Sequence, residues 1–397
     1  MINDISKMPD EFYKGKKVLV RVDFNVNIQN GNIGEDYRIR MTIPTIEYLT
    51  RRMAKVILVS HLGRPKNRDI SFSLAPVSKR LSEILQNTNV RFVDDCVGPQ
   101  VKQKVSEMKN TDVLLLENLR FYKEEESNSP EFSSELASLA DVYVNDGFST
   151  SHRKHSSTYG SAILFKTRLA GFNLKKEIEY LTMIKEKPKK PFVLIIGGVK
   201  IRDKIGALEN LLPKADKILM GGAAAYTFLK AKGFKVGKSP VDEEHLPWVT
   251  KSISKYGDKI ILPVDHVVSN SLQNHSIQIV SNNIPDDMTG YDIGTETINI
   301  YSKEISENIS GTLFWNGPMG FFEVSKFANG TINIAKSMAL AYWRGSNTLI
   351  GGGDTLEAMK KAGVSEKEVT HVSTGGGATL RFLAGDEMPG LGVLDRE

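Results

Sequence analysis

Short apolar runs separated by amphipathic stretches organise this chain. Runs rich in Val, Ile and Leu recur at 18–24 (VLVRVDF), 54–60 (AKVILVS), 90–93 (VRFV), 112–118 (DVLLLEN) and 141–146 (DVYVND). A second series follows at 191–198 (PFVLIIGG), 217–222 (KILMGG), 259–265 (KIILPVD), 311–317 (GTLFWNG), 347–353 (NTLIGGG) and 369–376 (VTHVSTGG). Between them, stretches such as SLAPVSKRLSEILQ and TINIAKSMALAYW read as helices. Near-continuous apolar strands alternating with helices predict buried parallel sheets with helices on both faces. The series breaks once, at 172–190 (FNLKKEIEYLTMIKEKPKK), an amphipathic helix with a Pro/Lys-rich exit, which predicts a connector between two domains.

Composition narrows the class. A chain of 397 residues with 40% hydrophobic and 25% charged residues supports two ordinary globular domains. The single cysteine, Cys96, excludes a disulfide framework and a Cys-based zinc site, and suits a reducing compartment. The N-terminal residues lack a signal-peptide apolar core, and no apolar run approaches the ~20 residues that span a bilayer. The expectation is a cytoplasmic enzyme with no membrane partner. A net charge of +5 gives no reason to expect nucleic acid.

In open parallel sheets ligands bind beyond the C-terminal ends of the strands, and there the polar residues collect. Arg21, Asp23 and Asn25 alternate after the first run and so share a face. Arg38 follows in a polar loop, His61 and Arg64 follow the second run, Arg120 the fourth, and Arg153 the fifth. Twelve of the sixteen arginines precede residue 170. A single arginine is more often a surface ion-pair partner. Four of them past strand ends predict a pocket for a small acid, because arginine captures carboxylate and phosphate bidentately. The pair His152-x-x-His155 encloses Arg153 and Lys154, and reads as part of an anion site rather than a metal site.

The later series places glycines after nearly every strand: Gly197-Gly198, Gly221-Gly222, Gly317, Gly351–Gly353 and Gly375–Gly377. Taken singly, each is a tight turn. Bare backbone before helix N-termini also supplies N–H donors for phosphate. The usual signatures are absent: GFKVGKS is one residue short of a P-loop, and neither GGGDTL nor GGGATL completes G-x-G-x-x-G. Lys200 and Lys204 stand four apart, so both point to one side if the segment turns helical, and two ammonium groups beside a glycine turn suit an oligophosphate. Asp354 is a hard oxygen ligand where Mg²⁺ would bridge phosphates. An acid site and a phosphate site together predict phosphoryl transfer.

The segments RVDFNV, SHLGRP, LLLENLRF, NDGFSTSHRKHSST, GGVKIRDKI, FWNGPMGFFE, GGGDT and STGGGATL occur in this order. With them the chain resembles the phosphoglycerate kinase family over its whole length. The resemblance implies α/β architecture with two Rossmann-like domains, each a six-stranded parallel sheet flanked by helices. Residues 1–171 would bind 3-phosphoglycerate or 1,3-bisphosphoglycerate, with 378–397 packing back onto them. Residues 172–190 would be the linker helix, and 191–377 would bind ADP or ATP with Mg²⁺. Substrate contacts fall on Asp23, Asn25, Arg38, His61, Arg64, Arg120 and Arg153. Nucleotide contacts fall on Gly197, Gly198, Lys204, Gly221, Gly290, Asn316, Glu323 (the ribose hydroxyls), Gly352, Gly353, Asp354 and Thr355, with Asp354 also holding Mg²⁺. Arg38 and Lys200 match the pair that stabilises the transferring phosphoryl group, with the backbone of Gly375 and Gly376 completing that shell. The chain departs from the family pattern at Asn27 (usually Pro), Val199 (usually small), Ser149 and Ser151 (usually Gly and Ala) and Arg381 (often Glu). None of these is expected to carry chemistry.

The implied reaction is reversible transfer between the acyl phosphate of 1,3-bisphosphoglycerate and ADP, in glycolysis and gluconeogenesis, by a monomer whose hinge closes to bring the two sites together. A carboxylate acceptor ionises near pH 4 and needs no general base, so no Ser-His-Asp set is required. Two other readings remain. An NAD-dependent dehydrogenase on a doubly wound fold is opposed by the incomplete G-x-G-x-x-G. A non-catalytic two-lobed binding protein is opposed by the presence of both Arg38 and Lys200.

Overall fold

The apolar runs at 18–20, 56–59, 113–116 and 142–144 are almost wholly withdrawn from solvent, as burial on both faces of a parallel sheet requires. The computed structural model describes residues 2–29, 31–273, 277–307 and 310–395. They divide into two units, Met1–Glu179 with Glu387–Glu397, and Tyr180–Asp386.

In the first unit, strands β1 (Lys17–Arg21), β2 (Lys55–Val59), β3 (Val90–Val93), β4 (Val113–Leu116), β5 (Val142–Asn145) and β6 (Arg168–Ala170) form one sheet in the order β3-β4-β2-β1-β5-β6. All neighbours are parallel, with Val18 opposite both Val56 and Val142. The order reverses between β1 and β5, which makes their C-terminal ends the switch point where such sheets bind ligands. Helix Tyr37–Arg51 contributes Ile39, Ile46 and Leu49 to the core shared with Val18, Val20, Val56 and Leu58. Each such side chain stabilises the fold by roughly 1.5–3 kcal/mol.

The second unit contains β7 (Phe192–Ile196), β8 (Lys217–Met220), β9 (Ile260–Ile261), β10 (Asp265–Ser269), β11 (Gln278–Ser281), β12 (Thr289–Ile293), β13 (Thr312–Asn316), β14 (Asn347–Gly351) and β15 (His371–Ser373). Six of these form a parallel sheet in the order β9-β8-β7-β13-β14-β15, with its switch point between β7 and β13. Strands β11-β10-β12 form a separate antiparallel sheet.

The expected α/β class and the two six-stranded parallel sheets are both present. Three details differ from the sequence reading. The short β6 carries too few apolar residues to register as a run. The run at 259–265 is two strands, β9 and the start of β10, parted around Pro263, which has no N–H to donate. The antiparallel sheet is an addition to the expected fold, because β11 (QIVS) has only two apolar residues, Ile279 and Val280, too few to register as a run.

The domain limits differ as well. The division falls inside helix Phe172–Glu186 rather than at its ends. Helix Gly377–Ala384, expected to return to the first domain, stays in the second unit. There Asn210 Nδ2 donates to the carbonyls of Leu383 (3.1 Å) and Ala384 (2.6 Å). The return begins at Glu387: the Gly390 N–H donates to the Ser151 carbonyl at 2.9 Å, and Asp395 pairs with Arg168. Residues 396 and 397 of the expected return lie outside the described residues.

Candidate functional site

Loops leaving β1, β2, β4 and β5 build a basic cluster in the first unit. Asp23, just past β1, is buried and accepts from Arg38 Nη1, from Ser149 Oγ at 2.6 Å and from the Asn25 N–H at 3.0 Å. Burial pushes its carboxyl up, but the Arg38 charge and the hydrogen bonds from Ser149 and Asn25 outweigh burial and hold it below the ordinary range. Asn25 Oδ1 accepts the Gly63 N–H at 2.8 Å, tying this loop to the turn that bears His61 and Arg64. Asn118 Oδ1 accepts the N–H groups of Leu62 (3.1 Å) and Arg120 (3.0 Å), so one side chain fixes both segments.

Arg21 ends β1 wholly buried, donating from Nη2 to His61 Nδ1 at 3.1 Å and from Nε to Ser157 Oγ at 2.9 Å. Arginine has no acceptor. His61 Nδ1 therefore accepts, and the ring is neutral with its proton on Nε2. Burial first, and then Arg21, drives this imidazole well below its ordinary range. His155 falls to about 3 through burial and then the charges of Arg21, Arg153 and Arg120. Burial also lowers Arg120; Glu126, 3.1 Å away, opposes this, while Arg153, Arg21 and Arg64 add to it. Arginines close enough to repel one another, on loops pinned by neutral side chains, form a socket for a multiply charged anion.

In the second unit, the loops after β7, β13 and β14 surround a cavity of about 460 Å³. Its walls include Gly198, Lys200, Lys204, Asn316, Asp354 and Gly376. The backbone crossing at its floor requires glycine: a Cβ on Gly197 would lie 2.2 Å from the Pro318 carbonyl oxygen, and one on Gly317 would lie 2.6 Å from Gly197. Lys204, only 9% exposed, donates to Asn316 Oδ1 at 2.8 Å; Asn316 Nδ2 donates to the Gly351 carbonyl at 2.8 Å. Burial lowers the Lys204 ammonium, while Asp203 and Asp354 oppose that shift. Lys200 is exposed on the wall, and among the described residues no ion pair engages it. Helices Gly353–Lys361 and Gly377–Ala384 both begin at this cavity, through Gly353, Asp354 and Gly376, and so turn positive dipole ends toward it.

A second cavity of about 300 Å³ adjoins the first and shares Gly198, Val199, Pro318 and Asp354 with it. Its remaining lining is mostly apolar, with Ala223, Tyr226, Pro240, Gly290, Tyr291 and Phe321, and with Glu323 at hand. A polar, glycine-walled compartment beside an apolar one suits a molecule with a phosphate chain and a flat ring.

All seven residues expected at the acid site stand on these converging loops, or in Arg38's case on the first turn of the helix behind them. Of the expected nucleotide residues, Gly198, Lys204, Gly290, Asn316, Glu323, Gly352, Gly353, Asp354 and Thr355 line one or both cavities. Gly197 and Gly221 do not. Their N–H groups donate to the carbonyls of Asn316 (3.0 Å) and Ile196 (2.7 Å), so they shape the floor instead. The Thr355 hydroxyl accepts the Gly317 N–H and donates to the Gly351 carbonyl, both at 2.8 Å, and is a stitch between loops. Gly375 is likewise turned inward, its N–H donating to Ser373 Oγ at 3.3 Å, whereas Gly376 faces the cavity.

Sequence reasoning did not select Ser149, Glu125 or Ser157. Glu125 is buried, which raises its carboxyl, and it accepts from Ser157 N–H (2.9 Å) and Oγ (2.5 Å) beneath Arg21. Their only trace in the sequence is the alternation of Arg21 with Asp23; the partners are over a hundred residues away and follow no pattern. A metal has one evident ligand, Asp354. Among the described residues no cluster of three or more His, Cys, Asp or Glu side chains could hold an ion alone.

The family model for phosphoglycerate kinase matches residues 8–386. A phosphoglycerate kinase of Dictyoglomus turgidum is 48% identical over 396 residues, covering 98% of each chain. The cytosolic phosphoglycerate kinase of Nicotiana tabacum is 46% identical over 397 residues, again covering 98% of each. The solved phosphoglycerate kinase of Coxiella burnetii superposes with a TM-score of 0.84 at 34% identity, over 99% of this chain and 98% of that one. That of Pyrococcus horikoshii OT3 gives 0.86 at 30% identity, with the same coverage.

Proposed function

The chain belongs to the phosphoglycerate kinase family, and from that premise we propose which of its residues carry the reaction. The reaction is reversible phosphoryl transfer between 1,3-bisphosphoglycerate and ADP, giving 3-phosphoglycerate and ATP. The observation that carries the nucleotide assignment is the pairing of the glycine-walled cavity with the apolar one. Phosphates lie against Gly198, Gly352, Gly353 and the Lys204 ammonium. The base enters the compartment of Tyr226, Gly290 and Phe321, and Glu323 receives the ribose hydroxyls. The glycerate binds in the arginine cluster, its phosphate on Arg64, Arg120 and Arg153, its hydroxyl and carboxylate toward Asp23, Asn25 and His61.

Chemistry then rests on charge stabilisation. In the ATP-consuming direction the acceptor carboxylate is already ionised, so no base is required, in keeping with a neutral His61. The moving phosphoryl group spreads negative charge over three oxygens. Arg38 neutralises it on the glycerate side and Lys200 on the nucleotide side, with the Gly376 N–H completing the shell. A lone carboxylate fits a magnesium ion held mainly by the nucleotide's own phosphates. Asp354 would hold that ion, which supplies added neutralisation of the phosphate charge. We place the protein in the cytoplasm as a monomer, in keeping with the cytosolic tobacco relative; among the described residues no helix is long and apolar enough to cross a membrane. A coupled assay with 3-phosphoglycerate and Mg-ATP tests the reading: ADP release that does not depend on 3-phosphoglycerate, or that survives chelation of magnesium, rejects it.

A further inference from the structure

We propose that Ser149 is a positioning residue, whose hydroxyl holds the Asp23 carboxylate while Arg38 turns from it to the reacting anion. The inference rests on the role given to Arg38 above.

The two oxygens of Asp23 are used unequally. Oδ1 accepts the Asn25 N–H at 3.0 Å, whereas Oδ2 accepts both Arg38 Nη1 and Ser149 Oγ, the latter at 2.6 Å. Arg38 is thus held by a carboxylate that is itself 3% exposed. An arginine so held is poorly available to anything else. Withdrawing it leaves a buried anion, and a buried charge short of donors is strongly unfavourable. The Ser149 hydroxyl meets that need, because it stays on Oδ2 when the guanidinium leaves and takes part of the oxygen's charge while it remains.

The hydroxyl is well placed for this because its turn is rigid. Ser149 lies in Phe148–Thr150, directly after β5 at the switch point. On one side the Gly147 N–H donates to Asn145 Oδ1 at 3.0 Å. On the other, the Ser151 N–H donates to the Phe148 carbonyl at 3.0 Å, and the Ser151 carbonyl accepts the Gly390 N–H at 2.9 Å. The hydroxyl therefore belongs to fixed scaffold, while Arg38, its side chain 22% exposed, has room to move.

The test is steady-state kinetics of the full-length enzyme with 3-phosphoglycerate and Mg-ATP, comparing Ser149→Ala, Ser149→Thr and Arg38→Ala, with Ser149→Ala also made in an Asp23→Asn background. Ser149→Ala is expected to lower kcat about tenfold, the weight of one hydrogen bond to a charged group, with an unchanged KM for ATP. Ser149→Thr, which keeps the hydroxyl, is expected to restore most of kcat. In the Asp23→Asn background Ser149→Ala is expected to change kcat by less than about twofold, since its partner charge is gone. Wild-type kcat in Ser149→Ala, an equal loss in both backgrounds, or no recovery in Ser149→Thr overturns the inference. Loss of turnover in Arg38→Ala beside a normal Ser149→Ala would discard the inference alone; normal turnover in Arg38→Ala would discard the functional reading beneath it.

Discussion

Lys204 Nζ sits 2.8 Å from Asn316 Oδ1, and the lysine is 9% exposed although it forms a wall of the phosphate cavity. An ammonium this withdrawn is aimed by its acceptor, and that acceptor is itself oriented by the Gly351 carbonyl. Asn316→Ala removes the aim while leaving the charge. Hydrogen bonds to charged groups contribute about 1.5–3 kcal/mol, so the KM for ATP should rise about tenfold or more. An unchanged KM would show that Lys204 is positioned without Asn316.

Arg38 and Lys200 carry the transferring charge in the mechanism proposed here. Arg38→Ala and Lys200→Ala should each lower kcat by about 10²-fold or more, the scale seen when one preorganised donor is removed from a developing anion. Nucleotide affinity measured by calorimetry should stay within about threefold of wild type, because the phosphate grip lies with Lys204 and the glycine loops. Near-normal turnover in either variant refutes its role.

Gly376 and Gly377 separate conformation from space. A Cβ added at either would meet no heavy atom within 4 Å, so bulk is no obstacle. Gly376 alone adopts φ +54 and ψ −117, a conformation that L-residues avoid. Gly376→Ala should introduce about 1–3 kcal/mol of backbone strain, lower the thermal unfolding midpoint and reduce kcat by displacing the helix start. Gly377→Ala should keep both near wild type or slightly raise the midpoint. Equal behaviour of the two variants would return this loop to the status of a plain turn.

Asp292 gives the second unit a pH dependence of stability. Burial raises its carboxyl from 3.8 to about 7, although the N–H groups of Gly330 and Ile293, at 2.7 and 2.9 Å, favour the ionised form. Between pH 4 and 7 the folded unit keeps this proton while the unfolded chain releases it. Stability from this group is therefore full below about pH 4, declines as pH rises toward 7, and is level above; the span is roughly 2–4 kcal/mol. Asp292→Asn should remove that slope from urea unfolding measured between pH 5 and 8, whatever it does to absolute stability. An unchanged slope would mean that the carboxyl is ionised when folded.

Legibility in the sequence followed physical range. The alternation of apolar runs and helices announced two parallel sheets, because burial on both faces leaves a local signature in every strand. The arginines after β2, β4 and β5, and the glycines after β7, β13 and β14, were visible for the same reason: each lies in the loop that follows its own strand, whereas Arg38 stands on the helix beyond β1. The β11 strand was not visible, because its two apolar residues, Ile279 and Val280, are too few for a run and its place is set by pairing with β10.

The sequence by itself therefore determined the fold class, the two ligand-binding edges and the chemical kind of each site, since strand periodicity and residues adjacent to strand ends are local properties. Only the tertiary structure decided how individual groups are used. Ser149 reaches Asp23 across 126 residues, Lys204 reaches Asn316 across 112, and Gly375 turns its N–H inward while Gly376 faces the cavity. Those choices depend on which loops meet at a switch point and on which donors remain unsatisfied there, and for Ser149–Asp23 and Lys204–Asn316 no stretch of sequence contains both partners.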